Sequence, residues 1–254
     1  NIDGFNFAFI GDHFDYHTVQ DTVERMDLNT FQHQVSYLTT SLDYFVNSNL
    51  ENLKSDVDYV FFNFPYLGLV FYPFSWIFPM LLICAILFLT FIFIGFGKGK
   101  LTVKGILNGF IPFIISLIFS GFLGFYGWKL LLKIHPQYND ILHGFTYNGY
   151  FYIAVFVSFT VAFCFWIYKR FFKKSTAQDL VIAPLLFWLI INGCVAFYLK
   201  GAAYFIIPVV VLLIILSVLI FSENCKIVVA VFFLTELYAI SNKCSFISET
   251  LSFK

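Results

Sequence analysis

The hydrophobic rhythm of the chain changes twice along its length. After the turn signal Asp3-Gly4, Phe5, Phe7 and Phe9 alternate with Asn6 and Ala8, which predicts a strand over residues 4–10. Residues 11–27 are polar and rich in turn formers. From Leu28 the period lengthens. Leu28, Phe31, Val35, Leu38, Leu42, Phe45 and Val46 recur every three or four positions, the spacing of an amphipathic helix. Asp27 or Asn29 is its expected cap, and Asn47-Ser48-Asn49 ends it. Residues 48–67 read as a polar connector that turns aromatic at Tyr59, Phe61, Phe62 and Phe64, near Pro65.

Periodicity then gives way to continuous apolar runs, at about 68–97, 105–132, 147–168, 180–199 and 202–221. A helix needs about 20 apolar residues to cross a bilayer. Helices are also the only open-ended way to satisfy backbone groups in lipid, so five spanning helices are expected. Tyr72, Phe74 and Trp76, in the first run, fit an interfacial aromatic belt. Lys200-Gly201 predicts a tight hairpin between the fourth and fifth runs. Pro73, Pro112, Pro184 and Pro208 are expected near helix starts, where a missing N–H costs little. A last apolar stretch, residues 227–234, is cut short by Glu236, Asn242 and Lys243 and reads as a partial sixth span or an interfacial segment.

Composition agrees with this pattern. Of 254 residues, 60% are hydrophobic and only 12% charged, whereas soluble domains are nearer half and a quarter. That balance argues against a soluble, disordered or nucleic-acid-binding protein and for a lipid bilayer as solvent. The net charge of zero conceals a split: residues 1–67 carry ten acids and two bases, so that the remainder is strongly basic. The five cysteines are odd in number and show no disulfide or metal-binding spacing.

Loop charges predict the orientation. Lys98, Lys100 and Lys104 occupy the first loop, Lys169, Arg170, Lys173 and Lys174 the third, and Lys226 the fifth. The second and fourth hold only Lys129, Lys133 and Lys200. Basic loops stay in the cytoplasm, so residues 1–67 are expected on the other side, in a periplasm or an organelle lumen. No ionisable residue lies near the centre of a run, which leaves no proton or ion relay to name. Asn108 and Asn192 lie near span ends. His135 and His143 flank Pro136 and Asp140, but their spacing has no helical logic for a metal. Gly121, Gly124 and Gly127 suggest close helix packing.

The chemistry-bearing stretch is residues 11–22, where His13, His17, Asp12, Asp15 and Asp21 crowd a loop after a strand. Imidazoles and carboxylates suit zinc, and His13 and His17 are four apart. Gly11 and the upstream strand argue against a helix there, and a solvated acidic loop is the alternative.

The run Tyr16-His17-Thr18-Val19-Gln20-Asp21-Thr22, followed by Val23-Glu24-Arg25-Met26-Asp27, resembles the closing motif of the family M-twenty-eight zinc peptidases. In that pattern a histidine and threonine precede two variable residues, Asp-Thr and a final helix. The strand over 4–10 and the helix over 28–47 then resemble the last strand and last helix of the α/β peptidase domain. The subset with a multi-pass membrane domain behind the peptidase domain, the vacuolar membrane protease or endoplasmic-reticulum metallopeptidase type, is the nearest in architecture. The resemblance implies a membrane-anchored exopeptidase acting on peptide substrates through two zinc ions. It makes His17 a terminal zinc ligand. Asp21 is implied as a residue that fixes the loop, with a helix-approach cap as the equal alternative. Tyr16 either lines the substrate pocket or packs. His13 and Asp15 match no ligand position, and His33 lies within the final helix.

The expected fold is thus mainly α: the end of an α/β peptidase domain over 1–50, a connector over 51–67, a transmembrane helical domain over 68–240 and a polar tail over 241–254. The orphaned first strand leads to the expectation of a C-terminal portion of a longer protein. The other ligands and the general-base glutamate that the resemblance implies would precede residue 11, and nothing in residues 18–254 replaces them. One histidine cannot hold a catalytic zinc, so this portion alone is expected to be inactive. The alternative is a non-catalytic polytopic protein, a transporter or scaffold, with a peptidase remnant.

Overall fold

The computed structural model describes residues 7, 15, 17–49, 55–64, 67–141 and 146–222. They form two compact units, one of residues 1–56 with 127–155, the other of residues 57–126 with 156–254. The expected strand over 4–10 lies outside the described residues except for Phe7, and so does the tail beyond residue 222.

In the first unit the three-and-four spacing produces α1 (Leu28–Asn47). Asp27 caps it: its Oδ2 accepts from the Thr30 backbone N–H at 2.9 Å and from Thr30 Oγ1 at 2.7 Å. That satisfies one of the donors a helix start leaves unpaired. The Phe7 ring stacks on Tyr37 of this helix, with centroids 5.6 Å apart. Most of the apolar stripe is open, with Phe31 at 48% and Leu42 at 65% exposure.

The second unit opens with two antiparallel strands, β1 (Tyr59–Phe64) and β2 (Gly68–Pro73), in a register that pairs Val60 with Tyr72 and Phe62 with Val70. This corrects the reading of 48–67 as connector and of the first apolar run as one helix from 68. The hairpin was hidden because both of its faces are apolar. Val60 is fully buried against Ile77, Val195, Ala196 and Ala203, while Phe61 and Phe71 on the outer face are exposed. Without polar alternation, strand and helix run together in a sequence.

The five spans are the remaining helices, each long and apolar enough to cross a membrane. They are α2 (Ile77–Gly97), α3 (Val103–Ile134), α4 (Gly149–Phe171), α5 (Ala177–Tyr198) and α6 (Ile206–Phe221). The first and last windows are lengthened by 3-10 turns at Phe74–Trp76 and Lys200–Phe205. The chain is a multi-pass membrane protein by this measure. Its core sits among α2, α5 and α6, where Leu185, Val209, Leu213, Leu216 and Ile220 are almost fully buried.

Three expectations about the spans change. Pro112 and Pro184 lie inside α3 and α5, at the tenth and eighth positions, rather than at their starts. The α5–α6 link is a six-residue 3-10 turn, Lys200–Phe205, instead of a two-residue hairpin. Gly121 and Gly124 have nothing near enough to need their missing side chains. The close approach is at Gly109, where an added Cβ would lie 2.8 Å from the Asp179 carbonyl oxygen, with Gly105 one turn away.

Polar side chains fasten both ends of the α5–α6 pair. Gln178 Nε2 donates to the Leu219 carbonyl at 2.9 Å. Asn192 Nδ2 donates to the carbonyls of Trp188 at 2.9 Å and Phe205 at 2.8 Å. In lipid, where helices gain no hydrophobic drive to associate, such bonds and close packing do the holding.

Candidate functional site

The loop before α1 is a tight, self-bonded turn. The Asp15 carbonyl accepts from the Thr18 N–H at 3.0 Å and from Thr18 Oγ1 at 2.7 Å. Thr18 Oγ1 also accepts from the Gln20 N–H at 3.2 Å. Thr18 thereby closes the turn on one side and starts the next on the other, where the Asp21 N–H donates to its carbonyl at 3.2 Å. A 3-10 turn, Val23–Arg25, leads on to Asp27 and α1.

Arg25 ties this turn back to its start. Its Nε donates to Asp15 Oδ2 at 2.8 Å and its Nη2 to Asp15 Oδ1 at 3.2 Å, a two-pronged pair. Fork-to-fork geometry fixes direction as well as distance. Asp15, read as a plain surface residue, is therefore a structural anchor of the loop. Arg25 was not singled out in the sequence, since an i, i+10 pair across a turn leaves no periodic signal.

His17 sits inside the turn at φ +59°, the left-handed region. Histidine visits that region more readily than most residues, yet it is uncommon for any side chain with a Cβ. Its side chain is exposed, and so is that of Asp21. Asp21 contributes its backbone N–H to the turn. Thr18, Asp15 and Arg25 contribute side-chain hydrogen bonds to the loop. Tyr16 and His13 lie outside the described residues. His33 is on α1, its ring 6.0 Å from that of Tyr37.

Two carboxylates next to this loop are held in their charged form. Glu24 is lowered below the usual range by its own backbone N–H and the Thr22 side chain. Asp27 is lowered by the Thr30 hydroxyl and backbone N–H that it caps.

A protein zinc site takes at least three protein ligands. Among the described residues no group of three or more His, Cys, Asp or Glu side chains could hold a metal ion. His17 would supply one ligand at most, and no step of a reaction can be built on it alone. His135 likewise stands by Gln137, its Nδ1 3.4 Å from Gln137 Nε2, and against the Tyr138 ring. His143 lies outside the described residues.

Known proteins add nothing to this geometry. No family model, curated protein or solved structure matches the chain.

A buried carboxylate that sequence reasoning missed lies in the second unit. Asp179 is 2% exposed, at the third position of α5. Its Oδ2 accepts from the Thr176 N–H at 3.1 Å and from Thr176 Oγ1 at 2.8 Å, while its Oδ1 accepts from the Thr102 N–H at 3.1 Å. Thr102 Oγ1 in turn accepts from the Gly105 N–H at 3.0 Å. One carboxylate thus completes the capping box of α5 and fastens the start of α3. An ionisable side chain buried in a membrane domain is ordinarily a functional candidate. Here every carboxylate oxygen is engaged by a donor of the fold, and the role is structural. The spacing Thr176-x-x-Asp179 ahead of an apolar run was the available signal.

Proposed function

We propose that this chain belongs to a membrane-anchored, zinc-dependent exopeptidase acting on peptides, with residues 1–50 ending its peptidase domain and α2–α6 forming its anchor. The observation that carries the reading is the segment Tyr16–Thr22, with its motif histidine in a tight turn directly ahead of a capped helix and five candidate spans. Backbone strain at a residue other than glycine concentrates at functional sites, and His17 has such a backbone. The exposed apolar stripe of α1 also favours a larger domain to cover it. On this reading the remaining ligands and the general base come from residues N-terminal to this loop. The part played by this chain is to present one imidazole and to hold the domain at the membrane. The basic loops at 98–104 and 169–174 support a cytoplasmic location for that end, and a non-cytoplasmic one for residues 1–67.

Hydrolysis of aminoacyl peptides by the intact membrane protein tests the proposal. Activity is expected to vanish with a chelator and return with zinc. His17→Ala should abolish it, whereas His33→Ala should retain it. Undiminished turnover in His17→Ala would sink the assignment and favour a non-catalytic polytopic protein.

A further inference from the structure

The seam between α2 and α6 opens into a groove of about 310 Å³. Ile83, Leu87 and Phe91 line it from α2, and Val210, Ile214 and Ser217 from α6. Among the described residues that line it, Ser217 is the only one with a hydroxyl, and that oxygen donates to the Ile214 carbonyl at 2.7 Å. The groove therefore asks for an apolar occupant. Among the described residues no glycine or alanine lines it. A second helix would need such small residues to bring its backbone close, so the shape favours a thin, flexible chain. From Met80 to Phe91 the lining runs about 17 Å at the helical rise, roughly the depth of one leaflet.

One end of this groove is cationic. The Phe91 ring meets the Phe221 ring edge-on, with centroids 6.3 Å apart. The Lys98 ammonium lies over that same Phe221 ring, 4.1 Å from its centroid. The cation is thus seated at the end of the apolar channel, in line with its wall. Lys100, Lys173 and Lys174 occupy the loops at this end of the helices, and Lys104, Lys169 and Arg170 the adjoining ends of α3 and α4. The one acid in the described part of those loops and helix starts is Asp179, whose oxygens are engaged by Thr102 and Thr176.

We propose that the α2–α6 seam binds one anionic phospholipid, with an acyl chain in the groove and the headgroup phosphate on Lys98. The charge of the site selects the headgroup, and the groove supplies the length. This inference rests on the spans and does not depend on the zinc reading.

The test uses the intact protein in mild detergent, stripped of lipid. Binding of phosphatidylglycerol and of phosphatidylcholine with identical acyl chains is measured by native mass spectrometry. Phosphatidylglycerol is expected to bind more tightly, and Lys98→Gln to cut that preference about fivefold, the effect of one lysine at an anionic surface. Lys200→Gln, in the α5–α6 link, should leave it unchanged. Chain-free glycerophosphoglycerol should not compete, and Ile214→Trp, which fills the groove, should weaken both lipids. Equal binding of the two lipids overturns the proposal. So does an unchanged preference in Lys98→Gln, or full competition by the chain-free headgroup.

Discussion

Asp179 shows how much rests on single side chains in a unit that is mostly apolar. Its two oxygens accept from three donors on two helix starts. Asp179→Ala leaves those donors without their partner, at about 1–3 kcal/mol for each that stays buried. Thermal unfolding in detergent should therefore fall clearly for Asp179→Ala. Asp179→Asn should rescue it only in part, since one acceptor becomes a donor facing donors. Gly109 makes a second residue-scale prediction. Gly109→Ala drives a methyl into the Asp179 backbone, whereas Gly121→Ala meets open space. The first should lower the unfolding temperature and the second leave it within error. The reverse order would show that α3 does not approach α5 as described.

Among elements, α1 offers a pH test. Asp27 is held below its ordinary value of 3.8 by the Thr30 hydroxyl and N–H. A lowered carboxylate contributes stability above its unfolded value and loses it as the pH falls through its folded value. Hydrogen-exchange protection in the first turn of α1 should thus be constant above about pH 4 and decline below it. Asp27→Ala should show the low protection throughout, while Asp27→Asn, still an acceptor, should keep much of it with no such decline. This element was legible from the sequence to its bounds: the apolar spacing, Asp27 and Asn47 all sit where the structure has them. The five spans were legible for a similar reason, since length and apolarity are what a bilayer demands. The hairpin was not. Phe61 and Phe71 are as apolar on its outer face as Val60 is on its inner face, so no alternation separates strand from span. The geometry of the turn around His17 was not legible in the sequence. The Arg25–Asp15 pair and the left-handed backbone of His17 arise from contacts across the turn, which sequence spacing does not encode. The close helix approach fell at Gly105 and Gly109 instead of Gly121 and Gly124, because the site depends on where α5 begins.

At the scale of the whole molecule, the chain carries a turn and a helix ahead of five candidate spans. The segment presents a histidine in a constrained turn and a helix whose apolar face is mostly open. The spans have a core among α2, α5 and α6, and Gln178 and Asn192 fasten α5 to α6. These features, with the motif around His17, are what the peptidase reading draws together. The most direct test is the zinc content of the intact protein, purified without chelator, beside His17→Ala. The account predicts two zinc ions per chain in the parent and the loss of at least one in the variant, with the fold of the spans unchanged. No zinc in the parent, or the same zinc content in both, would contradict it.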